Sequence, residues 1–279
     1  MRVTARAASA APLRLRVPAD FSLAAAIASH GWYQLRPYVF DPPTRALRAT
    51  WRGAGGDPIG WTFVEPERGV VVATPSRALD ASARDAAARA LTYALALDVD
   101  VAPLHRLCRR EPRLRWIATR RLGRLLRGED LFEDAMKILL TVNCTWKQTQ
   151  GMAARLVEAA GAPDPATGDR AFPTPDAVLR GGERLLKDEV RVGYRVRAML
   201  ETAERAASGA LESLRGRAAV DPAAARREIR GWYGFGPYAA ASILHLLGRN
   251  DEPVVDSWAV AQAKKHGVGG RAPTARSIA

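Results

Sequence analysis

The chain has 279 residues, with 42 Lys+Arg against 29 Asp+Glu and a formal charge of +13. Its 48% hydrophobic and 25% charged fractions exclude wholesale disorder, and no apolar run reaches the ~18 residues that would span a bilayer. Two cysteines, Cys108 and Cys144, are too few for a disulfide framework, a four-cysteine zinc site or an iron–sulfur cluster, and fit a reducing, cytoplasmic setting.

Residues 1–12 are small and basic and read as a loose arm. From Leu13 to about Ser76 the pattern is strand-like. Leu13, Leu15 and Val17 alternate with Arg14 and Arg16, the period of a half-buried strand. Segments 45–52, 60–65 and 69–74 are bounded by Gly and Pro, as hairpin strands are. FSLAAAIASHG (21–31) interrupts them as one short helix ending at Gly31.

Beyond residue 77 strand signals nearly vanish. Helices are predicted at about 80–98, 101–110, 113–118, 129–142, 145–161, 175–180, 183–189, 194–209, 222–231, 237–248 and 257–266. Asp80 and Asp221 are placed to cap N-termini, and Gly161, Gly209 and Gly248 to end helices. The stretch 160–176 reads as a surface loop. The expected class is α+β: the arm (1–12), a small N-terminal antiparallel α/β domain (13–76), then a larger all-α domain (77–279).

GWYGFGPYAAASILHLLG (231–248) is the most informative stretch. Gly234-Phe235-Gly236 makes a turn, and Pro237 suits the first turn of the next helix. Glycines there permit a close backbone approach, and free N–H groups at a helix start suit a phosphate oxygen. Taken alone, the same residues also describe an ordinary connection between two helices. Asp256 follows a short apolar run and precedes a helical pattern. It reads as an N-cap, a role that does not exclude catalysis.

Gly-Phe-Gly-Pro, an apolar helix and then Val-Asp resemble the helix–hairpin–helix DNA glycosylase superfamily. Three stretches agree: LFEDAMKILLTVNCTWKQT (131–149) resembles its early core helices, and VGYRVRAML (192–200) its 8-oxoguanine glycosylase-like members. FSLAAAIASHGWYQLRPYVFD (21–41) resembles the opening of the N-terminal sheet domain in 8-oxoguanine and 3-methyladenine glycosylases.

The resemblance implies a base-excision-repair enzyme acting on double-stranded DNA that carries a damaged purine. It implies that Asp256 stabilises the developing sugar cation, that the amides of Gly234 and Gly236 hold a phosphate, and that Asn143, Tyr194 and Arg195 face the gap left by the flipped base. Trp258, Tyr238 and Trp146 are candidates for the base pocket. Main-chain carbonyls at Gly234 and Gly236 are candidates for a potassium or sodium ion. Bifunctional relatives carry a lysine where Tyr238 stands, and a phenol forms no imine; monofunctional hydrolysis without strand cleavage is therefore expected. The protein is expected to be a monomer, cytoplasmic and nucleoid-associated, with no iron–sulfur cluster.

Relatives continue past the aspartate helix with a segment that walls the base pocket, whereas this sequence ends at RAPTARSIA (271–279). The alternative is therefore a non-catalytic helix–hairpin–helix DNA-binding protein with a degenerate pocket. The basic segment RWIATRRLGRLLRG (115–128) reads equally as a DNA-backbone contact or as a solvated linker face.

Overall fold

The computed structural model describes residues 11–53 and 56–266. Most of the basic arm and the 271–279 stretch lie outside the described residues. Five strands form one antiparallel sheet: β1 (Leu13–Arg16), β2 (Val39–Asp41), β3 (Ala46–Arg52), β4 (Pro58–Glu67) and β5 (Val70–Pro75), in the order β1-β5-β4-β3-β2. Leu47 pairs with Phe63, Ala49 with Trp61 and Trp51 with Ile59. All six are buried, so the two-residue alternation puts one continuous apolar face inward. Strand β2 is absent from the sequence-based expectation. Three residues at a sheet edge, all only partly buried, carry too short a pattern to show a period.

A short helix, α1 (Leu23–Ile27), is capped by Ser22. The remaining helices are α2 (Ala81–Ala94), α3 (Ala102–Arg110), α4 (Arg115–Thr119), α5 (Leu131–Thr141), α6 (Trp146–Ala160), α7 (Pro175–Arg184), α8 (Val196–Ala207), α9 (Ala210–Val220), α10 (Pro222–Arg230), α11 (Pro237–Leu246) and α12 (Ser257–His266). Asp80 and Asp221 accept the amides of Ala83 and Ala224 at 2.7 and 2.9 Å. Gly209 and Gly248 take left-handed angles, each with φ 77°.

Three expectations need correction. Helix α9 was not predicted: it buries only Leu211, Leu214 and Ala218, and Gly216 interrupts it, so its apolar stripe is faint. Helix α1 ends at Ile27 rather than at Gly31, whereas Gly161 does end α6; a Cβ added at Gly161 would lie 2.2 Å from the Ala171 carbonyl, so close approach explains that glycine. The 160–176 stretch is not merely a surface loop. Asp164 is fully buried and accepts the Gly60 amide of β4 at 3.1 Å, while Phe172 sits in the core.

Helix α5 runs through the centre, with every residue from Leu131 to Leu140 buried. That includes Glu133, Asp134 and Lys137, which burial makes costly unless they are partnered. Asp134 accepts Trp32 Nε1 and the Gly128 amide, each at 2.7 Å, and the Tyr93 hydroxyl at 2.9 Å. Lys137 pairs with Glu133, and its Nζ lies 4.9 Å from the Tyr38 ring centroid. Arg52 on β3 pairs with Glu129 at 3.0 Å and with Asp130. These polar links clamp the sheet to the start of α5 and thereby fix where the helix ends.

Candidate nucleic-acid interface

The site is built around the C-terminal end of α5. The chain turns from α5 into α6 through Asn143, which is left-handed with φ 48°. Asn tolerates that region better than most non-glycine residues, and its side chain is exposed at the tip of the turn. Thr145 then starts α6 with a reciprocal capping box to Gln148.

Arg195 differs from the expectation that it faces a gap in DNA. It is only 7% exposed, and its guanidinium is committed to carbonyls. Nε donates to Leu139 at 2.9 Å, Nη1 to Val192 at 3.0 Å, and Nη2 to Val142. A cation there satisfies carbonyls that the end of a helix leaves open. Arg195 thus holds the Asn143 turn rather than projecting from it. Tyr194 does project, being 63% exposed. Its ring is braced by the Arg195 guanidinium at 4.7 Å, and its hydroxyl donates to the Val142 carbonyl at 3.3 Å.

The hairpin joins α10 to α11. Trp232 and Phe235 are buried and meet edge-on at 5.4 Å, which anchors the turn. Gly234 has φ 85°, and a Cβ added there would lie 2.6 Å from the Ala198 Cβ on α8. The fold itself therefore demands that glycine. Gly236 is different. Its φ is −74°, and nothing lies within 4 Å of the position a Cβ would take. It starts α11 with no side-chain cap, so open N–H groups meet an unobstructed backbone, the arrangement an approaching anion uses.

Tyr238 is half-buried, and its hydroxyl lies 3.2 Å from that of Thr141, tying α11 to the end of α5. Trp146 sits at the seam with the N-terminal layer. Its Nε1 donates to Gln34 Oε1 at 2.6 Å, and its ring covers Gly31. Asp256 caps α12, accepting the Ala259 amide at 2.7 Å, and its carboxylate is exposed. Trp258, two residues on, is 68% exposed. The loop leading to Asp256 is moored by Glu252, which pairs with Arg226 of α10 and accepts His245 of α11 at its carbonyl. The two helices flanking the hairpin therefore also position the entry to α12.

A groove of about 700 Å³ runs beside the α5–α6 turn, lined by Asn143, Lys147, Gln148, Arg155, Arg191 and Arg195 among others. No short motif in the sequence marks Lys147, Arg155 and Arg191 as groove cations. Lys147 and Arg155 share α6, and Arg191 joins them from the segment that precedes Tyr194. Arg155 is aimed by donating Nε to the Val190 carbonyl at 2.8 Å.

No family model and no curated protein matches this sequence. Solved structures match its fold. The 3-methyladenine DNA glycosylase from Archaeoglobus fulgidus superposes with a TM-score of 0.75 at 19% identity, over 95% of this chain and 90% of its own. The 8-oxoguanine glycosylase/lyase of Clostridium acetobutylicum, solved with double-stranded DNA bearing cytosine opposite 8-oxoG, gives 0.69 at 17% identity, over 93% of this chain and 84% of its own. MBOgg1 bound to a low-affinity DNA ligand gives 0.68 at 18% identity, over 91% and 83%. The chain thus has the helix–hairpin–helix fold of the 3-methyladenine and 8-oxoguanine DNA glycosylases.

Proposed function

We propose that this protein is a monofunctional DNA N-glycosylase that hydrolyses the bond between deoxyribose and a flipped, damaged purine. The observation that carries the reading is the pairing of an unobstructed Gly236 at the start of α11 with an exposed Asp256 whose approach loop is moored to α10 and α11. Open backbone amides hold a phosphate of the target strand, and the groove cations draw in the duplex. Asn143, exposed on the Arg195-braced turn, and Tyr194, whose hydroxyl reaches the Val142 carbonyl of that turn, fill the space the extruded nucleotide leaves.

As the base departs, positive charge develops at the anomeric carbon. The Asp256 carboxylate stabilises that charge and orients the attacking water. The Ala259 amide and the start of α12 hold the carboxylate in place. Trp258 and Tyr238 supply aromatic surface for the flipped base, and Trp146 supports the seam behind the Asn143 turn. A potassium or sodium ion at the hairpin would be held by main-chain carbonyls and would add positive charge beside the phosphate. Among the described residues the Gly234 carbonyl accepts no hydrogen bond, whereas that of Gly236 takes the Ala240 amide at 3.0 Å.

The test is release of free base from duplexes containing 8-oxoguanine, alkylated purines, uracil or hypoxanthine. The expected result is release from a purine-lesion duplex that Asp256→Asn abolishes while duplex affinity persists. Binding to every duplex without release from any would replace this reading with a non-catalytic DNA-binding protein.

A further inference from the structure

A second basic concavity lies apart from the groove beside Asn143 and takes in the start of the basic 115–128 segment. Arg68 in the β4–β5 turn, Arg109 at the end of α3, Arg115 at the start of α4, and Arg121 just beyond α4 line one cavity of about 580 Å³, together with Ala118 and Thr119. None of these residues lines the groove beside Asn143. Backbone carbonyls fix three of the guanidiniums without neutralising them. Arg68 donates to Ala19 at 3.0 and 3.3 Å, Arg115 to the Arg109 carbonyl at 3.2 Å, and Arg121 to Phe21 at 2.6 Å. Among the described residues only Arg121 of the four has a carboxylate partner, Glu65 at 3.4 Å.

Like charges gathered in a concavity raise its positive potential and draw counter-ions into it. Guanidinium forks match the oxygens of a phosphate in geometry as well as charge. Arg121 also adopts a left-handed backbone, φ 58°, which non-glycine residues rarely take. We propose that this cavity is an anion site that takes a phosphate group, its oxygens held among Arg68, Arg109, Arg115 and Arg121. The phosphate is either a backbone phosphodiester of bound DNA or part of a free phosphorylated molecule. The proposal stands whether or not Asp256 cleaves a glycosidic bond.

Phosphorus NMR titration of the full chain with inorganic phosphate, at constant ionic strength, tests it. The wild type is expected to bind saturably, and Arg109→Gln/Arg115→Gln to weaken binding at least about tenfold. Arg191→Gln, in the other groove, is expected to leave phosphate binding intact. Duplex affinity measured against salt separates the two sources. A DNA phosphodiester as occupant predicts that the double variant flattens the salt dependence by about two contacts; a free phosphorylated molecule predicts an unchanged slope with phosphate binding lost. Should the double variant fail to fold, Arg109→Gln alone serves, because among the described residues that side chain makes no hydrogen bond. Equal phosphate affinity in wild type and variant, loss on Arg191→Gln instead, or wild-type binding no tighter than that of chloride would overturn the proposal.

Discussion

Arg195 Nε donates to the Leu139 carbonyl across 2.9 Å, which makes a buried arginine the cap of the central helix. The turn that displays Asn143 is consequently held from below. Arg195→Gln should lower stability by about 2–4 kcal/mol, since several carbonyls lose a charged donor at once. It should also weaken duplex binding by loosening the turn. Asn143→Gly separates the two roles. Glycine accepts the left-handed backbone at little cost, so stability should stay within about 0.5 kcal/mol while base release or duplex affinity falls. Urea unfolding and duplex titration read the two effects, and a stable Arg195→Gln protein would refute the capping role.

The two hairpin glycines should respond oppositely to alanine. At Gly234 the new methyl meets Ala198 and the backbone is left-handed. Gly234→Ala should therefore cost at least about 2 kcal/mol, from strain and overpacking together. At Gly236 the backbone is ordinary and the space is open. Gly236→Ala should leave stability within about 0.5 kcal/mol and instead reduce duplex affinity, because the methyl obstructs the approaching phosphate. Equal duplex affinity in Gly236→Ala and wild type would remove the hairpin from the DNA interface.

Much of this architecture is legible in the sequence because its signals are local. The alternation at Leu13–Val17, the capping aspartates and the Gly-Phe-Gly-Pro turn each declare themselves within a few residues. What escapes is whatever depends on distant partners. Arg195 looks like a surface cation until Leu139 and Val142 are brought beneath it. Asp164 looks like a loop residue until Gly60 arrives from β4. Asn143 and Gly234 are visible as types, but only the fold explains that one is suited to its backbone and the other is required by Ala198. The basic groove has no linear signature, because Arg191 meets Lys147 and Arg155 of α6 only through the fold.

His30 gives the structure a pH-dependent component of stability. Burial lowers its pKa from 6.5 to about 4, outweighing the hydrogen bond to the Leu126 carbonyl, which Nε2 reaches at 2.6 Å. The folded state therefore keeps the ring neutral where the unfolded chain protonates it. The resulting stability is complete above about pH 6.5 and is lost as pH falls toward 4, by up to about 3 kcal/mol. Asp134 acts in the opposite sense. Burial raises its pKa to about 6, so its contribution is present at low pH and fades as pH rises through 6. The clean measurement is the difference between His30→Gln and wild type in urea at pH 4.5 and pH 7. The variant should lose less stability on acidification; identical pH slopes would show that His30 is protonated without penalty.

Strand cleavage provides the sharpest check on the proposed chemistry at α11. A lyase reaction requires a neutral amine that attacks the sugar carbon and forms an imine, which borohydride reduces to a stable protein–DNA adduct. At the position following Pro237 this chain offers the Tyr238 phenol, whose hydroxyl lies beside that of Thr141. Borohydride added during base release should therefore trap nothing, and the abasic strand should stay intact until alkali is added. Tyr238→Phe should retain base release within about tenfold, since a single neutral hydrogen bond contributes about 1 kcal/mol. A trapped adduct would show that an amine outside the hairpin reaches the sugar. Lys147, which lines the groove beside Asn143, would then be the first residue to replace, and a water-only mechanism at Asp256 would have to be abandoned.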